Sequence, residues 1–182
     1  MKRVYRFIGI LFCVCILLFP VLASPPGGYA AAAEADDTSV AEIYLCVSGI
    51  RLPYLFGHSW ICIVNTGSEP FSVGSERLEP GEMLTAGLHT NGGMVFNLEM
   101  SQFRGRSVTA VQASLTKAAL QRAENEILDS EWDHYSLLTH NCTHFSVAVW
   151  KAATGKTIQA SVFPFFLKMQ MPSGERTSLT IV

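Results

Sequence analysis

Hydrophobic and polar positions fall into two successive regimes along the chain. Up to about residue 113 the apolar residues come in short runs rich in β-formers and separated by turn residues. Ala41 to Val47 predicts a first strand. The loop Ser48 to Gly57, punctuated by Gly49, Pro53 and Gly57, leads to a second strand from His58 to about Asn65. Asn65-Thr66-Gly67-Ser68 reads as a turn into a short strand over Pro70 to Gly74, the two forming a hairpin. Further strands are expected at Met83 to Leu88, Met94 to Leu98 and Ser107 to Ala113.

From Thr116 the period becomes helical. Thr116 caps a segment in which Leu120, Ala123, Ile127 and Leu128 share one face, and the acidic residues at Asp129, Glu131 and Asp133 stop it near Asp129 or Ser130. A second helix starts at Asn141 or Cys142, runs to about Ala153 and stops at Gly155. It is apolar on nearly every side, the pattern of a helix enclosed by other elements. A short helix after Pro164 docks Phe165 to Leu167 over the core. Strands followed by helices predict an α+β fold.

The N-terminus changes how the composition is read. A basic start (Lys2, Arg3, Arg6), an apolar run from Phe7 to Leu22 and small residues from Ala30 to Ala33 make residues 1–33 a signal peptide. Residues 34–39 are expected to be a disordered linker and 40–182 a single domain. The hydrophobic fraction of 49% owes much to the leader. Without it, ten basic residues face fifteen acidic ones, a formal charge of −5. That excludes a nucleic-acid partner relying on a basic face. The protein is expected to be secreted or extracytoplasmic, touching a membrane only through an uncleaved leader.

Export permits disulfides. Beyond the leader lie Cys46, Cys62 and Cys142. Antiparallel pairing of the first two strands can set Cys46 opposite Cys62, giving one disulfide and one free thiol; the alternative is that both are small buried hydrophobes. Cys142, just after the helix-capping Asn141, sits where a helix N-terminus lowers a thiol pKa. Of the histidines, His140 and His144 flank it too closely to reach the sulfur once the helix begins. His58, at the head of a strand, is the candidate base, giving the arrangement of a thiol hydrolase.

Gly57-His58-Ser59-Trp60-Ile61-Cys62-Ile63 followed by Asn141-Cys142-Thr143-His144-Phe145 resembles the circularly permuted papain-like hydrolases, a group with relatives among NlpC-like peptidases and lecithin:retinol acyltransferase. The resemblance implies a small antiparallel sheet packed on a central helix that carries the nucleophile. It makes Cys142 the nucleophile, His58 the base and the Cys142 backbone N–H part of an oxyanion hole, with Asn141, Ser72 and His144 as supporting groups. It also implies a peptide or acyl substrate, with cell-wall peptides as the first expectation; separately, no second C-x-x-C or H-x-x-x-H pair is present, and no cofactor or metal is expected. The second histidine that often orients the first in that group is missing from Phe71 to Gly74; Ser72, Glu76 or a backbone carbonyl is the expected substitute, with His89 or Asn91 approaching from elsewhere as the alternative. Two other functions stand beside the hydrolase: an inactive binding module on the same fold, and a zinc module built from His134, His140, Cys142 and His144.

Overall fold

The computed structural model describes residues 38–50, 56–90 and 92–182. The leader, most of the linker and Asn91 lie outside the described residues. Among the described residues, eight strands and four α-helices follow one another. β1 is Ser39–Ser48, β2 His58–Asn65, β3 Phe71–Val73, β4 Glu76–Leu78, β5 Met83–His89 and β6 Gly93–Phe96. α1 is Leu98–Gln102, β7 Ser107–Thr116, α2 Lys117–Ile127, α3 Cys142–Thr154, α4 Pro164–Gln170 and β8 Arg176–Thr180.

Six strands form one antiparallel sheet in the order β6-β5-β2-β1-β7-β8. Alternate side chains leave opposite faces of a strand, so β1 and β2 divide their residues between two cores. Ile43, Leu45, Ile61 and Ile63 point to one face and pack with Phe145, Val149 and Trp150 of α3 and with Leu120, Ala123 and Ile127 of α2. Tyr44, Cys46, Trp60 and Cys62 point to the other face and pack with Phe103, Val108 and Ile181. The result is a mixed α+β fold, its sheet packed against helices, with Cys142 at the N-terminus of a long helix.

The expected hairpin between β2 and β3 does not form. β3 pairs only with β4, as a separate two-stranded ribbon, while β2 takes β5 as its neighbour. Asn65 explains the diversion. Its buried amide donates to the Glu69 and Leu78 carbonyls (3.0 and 3.1 Å), and its side-chain oxygen accepts from the Gly67 N–H at 3.0 Å, so the turn residues close around it and are not the loop of a two-strand hairpin. The linker expected over 34–39 ends inside β1, whose first residue is Ser39.

Both long helices carry the caps their sequences predict. The Thr116 hydroxyl accepts from Ala119 N at 3.3 Å. Gly155 ends α3 in the left-handed region (φ 70°), where a side chain would be strained. Asn141 does more than cap. Its Oδ1 accepts from the backbone N–H groups of Thr143 (2.9 Å) and His144 (3.2 Å), while its Nδ2 donates to the carbonyls of Leu137 (2.7 Å) and Val162 (3.1 Å). One wholly buried amide thus binds the helix start to the loops before and after it. Asn141→Ala removes the cap and leaves two carbonyls unpaired, so it is expected to cost about 2–4 kcal/mol of stability in denaturant unfolding, and Asn141→Asp, which keeps the cap but sets a buried carboxylate oxygen against both carbonyls, should also destabilise.

Candidate functional site

The C-terminal ends of β1 and β5, the first residue of β2 and the short helix α1 meet beside the N-terminus of α3. His58 is the first residue of β2 and is 2% exposed. Its ring stacks on Trp60 two residues along (centroids 5.5 Å), and Trp60 stacks in turn on Phe103 (4.7 Å). This column of rings fixes the imidazole plane. His89, the last residue of β5, brings its ring to 4.7 Å from that of His58.

Between the two histidines lies Glu99, fully buried on α1. Its Oε1 is 2.9 Å from His58 Nε2 and 2.8 Å from His89 Nε2. Glu99 Oε2 is buried and has no hydrogen-bond partner among the described residues. The carboxylate reaches this position because Gly87 has no side chain. A Cβ there would run into Glu99 Oε1 and lie 3.1 Å from His89 Nε2. Asn97, in the left-handed region at φ 61°, turns the chain from β6 into α1, its Nδ2 donating to Glu76 Oε2 at 2.9 Å.

The electrostatics follow from this packing. Burial raises the Glu99 carboxyl pKa, but the two imidazole hydrogen bonds outweigh it and bring the group down to about 2. For His58 burial lowers the pKa, and hydrogen bonds to Cys142 and Glu99 overcome it, raising the group to about 9. The Cys142 thiol is pushed up by burial and pulled below its ordinary value by the His58 ring and by the backbone and hydroxyl of Ser59.

The structure therefore brings His58 and Cys142 into contact, but the function expected of them is corrected by the His58–His89–Glu99 cluster, whose ligand-type atoms all lie within 4.8 Å of one another. The predicted reaction needs a neutral His58 that takes the Cys142 proton. Instead, His58 is tied through Nε2 to a buried carboxylate that it shares with His89, the grouping of a metal site. The reading as a thiol-dependent peptidase, amidase or acyltransferase is withdrawn.

The other predicted site residues divide. Ser72 is exposed on the β3–β4 ribbon, and Glu76 is engaged by Asn97, so neither orients His58. His89 does approach it, through Glu99. His144 Nδ1 lies 2.9 Å from Asn141 Oδ1, and its pKa is lowered by burial and by the charge of His140. The zinc set His134, His140, Cys142 and His144 does not assemble: among the described residues the metal-type grouping is His58, His89 and Glu99. That grouping also corrects the expectation of no metal-ligating residues. Cys46 and Cys62 are free, buried thiols. The register sets Cys62 opposite Tyr44 and Cys46 opposite Trp60, so the pair is diagonal on the sheet and not directly opposed. Burial raises both pKa values, as for small core residues. Glu99 is the residue sequence reasoning missed. Its only signal is one acidic residue beside apolar Leu98 and Met100, which is also the mark of an ordinary surface turn.

His58, His89 and Cys142 face a cleft of about 690 Å³, whose walls include Phe56, Leu137, Val162 and Phe163. Compared with protein-family models, curated proteins and solved structures, the chain finds no match. The resemblance to the permuted papain-like hydrolases thus rests on the two short motifs.

Two outcomes are expected of this geometry. Glu99 contributes stability that is full above its unfolded pKa near 4.5 and lost as the pH falls toward its folded value near 2. With a chelator present, the thermal midpoint of the wild type should therefore drop steeply over that interval, and the drop should be shallower in Glu99→Gln. Gly87→Ala should displace the carboxylate while leaving the sheet intact. Its His58 C–H resonances, followed by NMR against pH, should titrate lower than in the wild type, as in Glu99→Gln; an unchanged His58 titration would show that the glycine is dispensable.

Proposed function

We propose that this chain is a metal-binding module whose ion, a divalent cation of the zinc class, is held by His58, His89 and Glu99 at the floor of the cleft. The observation that carries the reading is the cluster itself: two imidazole nitrogens and a carboxylate oxygen within 4.8 Å of one another, the second carboxylate oxygen buried and unpartnered. Nitrogen and carboxylate donors suit zinc and neighbouring first-row ions.

The dimensions support the assignment. The present N···O separations of 2.9 and 2.8 Å are hydrogen-bond lengths. A tetrahedral zinc ion with bonds of about 2.0–2.1 Å spreads its ligand atoms to about 3.3 Å. A shift of roughly half an ångström in the carboxylate, or a turn that presents its unused oxygen, converts one arrangement into the other. The N–H protons of the imidazoles stand in the place of the ion, and ion binding displaces them.

Three protein ligands leave a coordination position open, as in sites that exchange a small ligand. The side facing the cleft is the accessible one, since Glu99 is sealed beneath. The element order, a histidine strand ahead of a cysteine helix, is consistent with a permuted papain-like scaffold, taken as a fold and not as an activity. Residues 1–33, read as a signal peptide, support an extracytoplasmic location for the module.

Metal analysis of the purified full-length protein and cobalt(II) titration test the proposal. Wild type should bind close to one ion, with cobalt giving the visible absorption of a low-coordinate site. Glu99→Gln and His89→Ala should each weaken binding about a hundredfold or more. Failure of wild type to bind, or equal affinity in both variants, would sink the reading.

A further inference from the structure

A second cavity, of about 400 Å³, opens where the end of β1, the start of β7 and α4 come together. Its walls include Ser48, Phe103, Arg106, Thr109 and Lys168, and no acidic residue lines it among the described residues. This stands out in a chain whose residues 34–182 carry a formal charge of −5. Among the described residues Arg77 meets Glu79 at 2.8 Å and Lys156 meets Glu175 at 3.5 Å, while Arg122 and Arg176 donate to backbone carbonyls. The Arg106 guanidinium and the Lys168 ammonium have no ion pair or side-chain hydrogen bond among the described residues, and neither has the Thr109 hydroxyl.

We propose that this cavity binds a phosphate-type oxyanion, held by Arg106 and Lys168 with Thr109 as a hydroxyl donor. A guanidinium offers a two-pronged hydrogen-bond fork that matches two phosphate oxygens, and an ammonium adds a point charge from the other wall. Two cations line one concave site, and a dianion bound there would satisfy both at once. Gly49 adds to the room, since a Cβ there would meet nothing within 4 Å.

The phosphate has two natural sources, a soluble phosphomonoester or a phospholipid headgroup. The second is favoured by the surroundings of Lys168, because its helix α4 also exposes Phe165 (49%), Phe166 (49%) and Met169 (62%). A cation set among exposed aromatic and sulfur-bearing side chains is the composition of a helix lying at a membrane surface.

Inorganic phosphate is the first probe, titrated calorimetrically into the full-length protein with a chelator present so that no ion at His58, His89 and Glu99 contributes. Saturable binding is expected, weakened about tenfold or more by Arg106→Gln and by Lys168→Gln and unchanged by Glu99→Gln. Sedimentation with phosphatidylcholine vesicles, with and without phosphatidylglycerol, separates the sources. Vesicle binding lost in the charge variants and in Phe165→Ser/Phe166→Ser, with phosphate affinity kept in the latter, identifies a lipid headgroup. Phosphate binding without vesicle binding identifies a soluble ligand. No saturable binding of either probe, or binding that survives both charge substitutions, overturns the proposal. Arg106 is exposed and Lys168 half-buried, so the variants are expected to fold, which far-ultraviolet circular dichroism verifies.

Discussion

A carboxylate with no exposure to solvent sits between two imidazoles, and much of this end of the molecule is arranged to keep it there. Burying an isolated carboxylate costs on the order of several kcal/mol, which only strong, well-aligned partners offset. Charge-assisted hydrogen bonds from His58 and His89 provide them. The neighbours then fall into place as supports. Gly87 clears the path of the carboxylate, the Trp60–Phe103 stack fixes the His58 plane, and Asn97 turns the chain so that Glu99 faces inward. Among the described residues, Glu99 Oε2 and the Trp60 Nε1 of the ring stack are left buried without a partner. The proposed cation would satisfy the first.

The sequence was most legible where the signal was local. β2 begins at His58 and ends at Asn65, Thr116 and Asn141 cap their helices, and Gly155 ends α3, all as the residues predict. Each depends on chemistry within a few residues: a side-chain oxygen near free N–H groups, or a glycine where φ must be positive. Legibility failed where partners lay far apart. The β3–β4 ribbon replaced the expected hairpin because Asn65 gathers carbonyls from Glu69 and Leu78. β8 was not foreseen, since Arg176–Thr180 alternates half-buried and exposed positions and gains its identity from pairing with β7.

The site shows the same division. Cys142 and His58 were recognised from their motifs, and the fold does bring them together, yet what the pair does depends on Glu99, forty-one positions beyond His58 in the chain. The expected third group was sought on β3. It is supplied instead by a five-residue helix, and it turns the histidine from a proton acceptor into a member of a charged cluster. His89 was among the residues weighed, but its role was not, because a histidine at a strand end carries no signal of what lies opposite.

Asn141 occupies a different place in this economy. Leu137 and Val162 both line the cleft, and each gives its carbonyl to the same buried amide that starts α3. Nδ2 therefore works like a rivet: the two lining segments are referenced to one nitrogen and cannot part without breaking a bond to it. The same two bonds occupy the nitrogen to which a glycan would be joined at the Asn141-Cys142-Thr143 sequon, so the folded chain shields that position from modification.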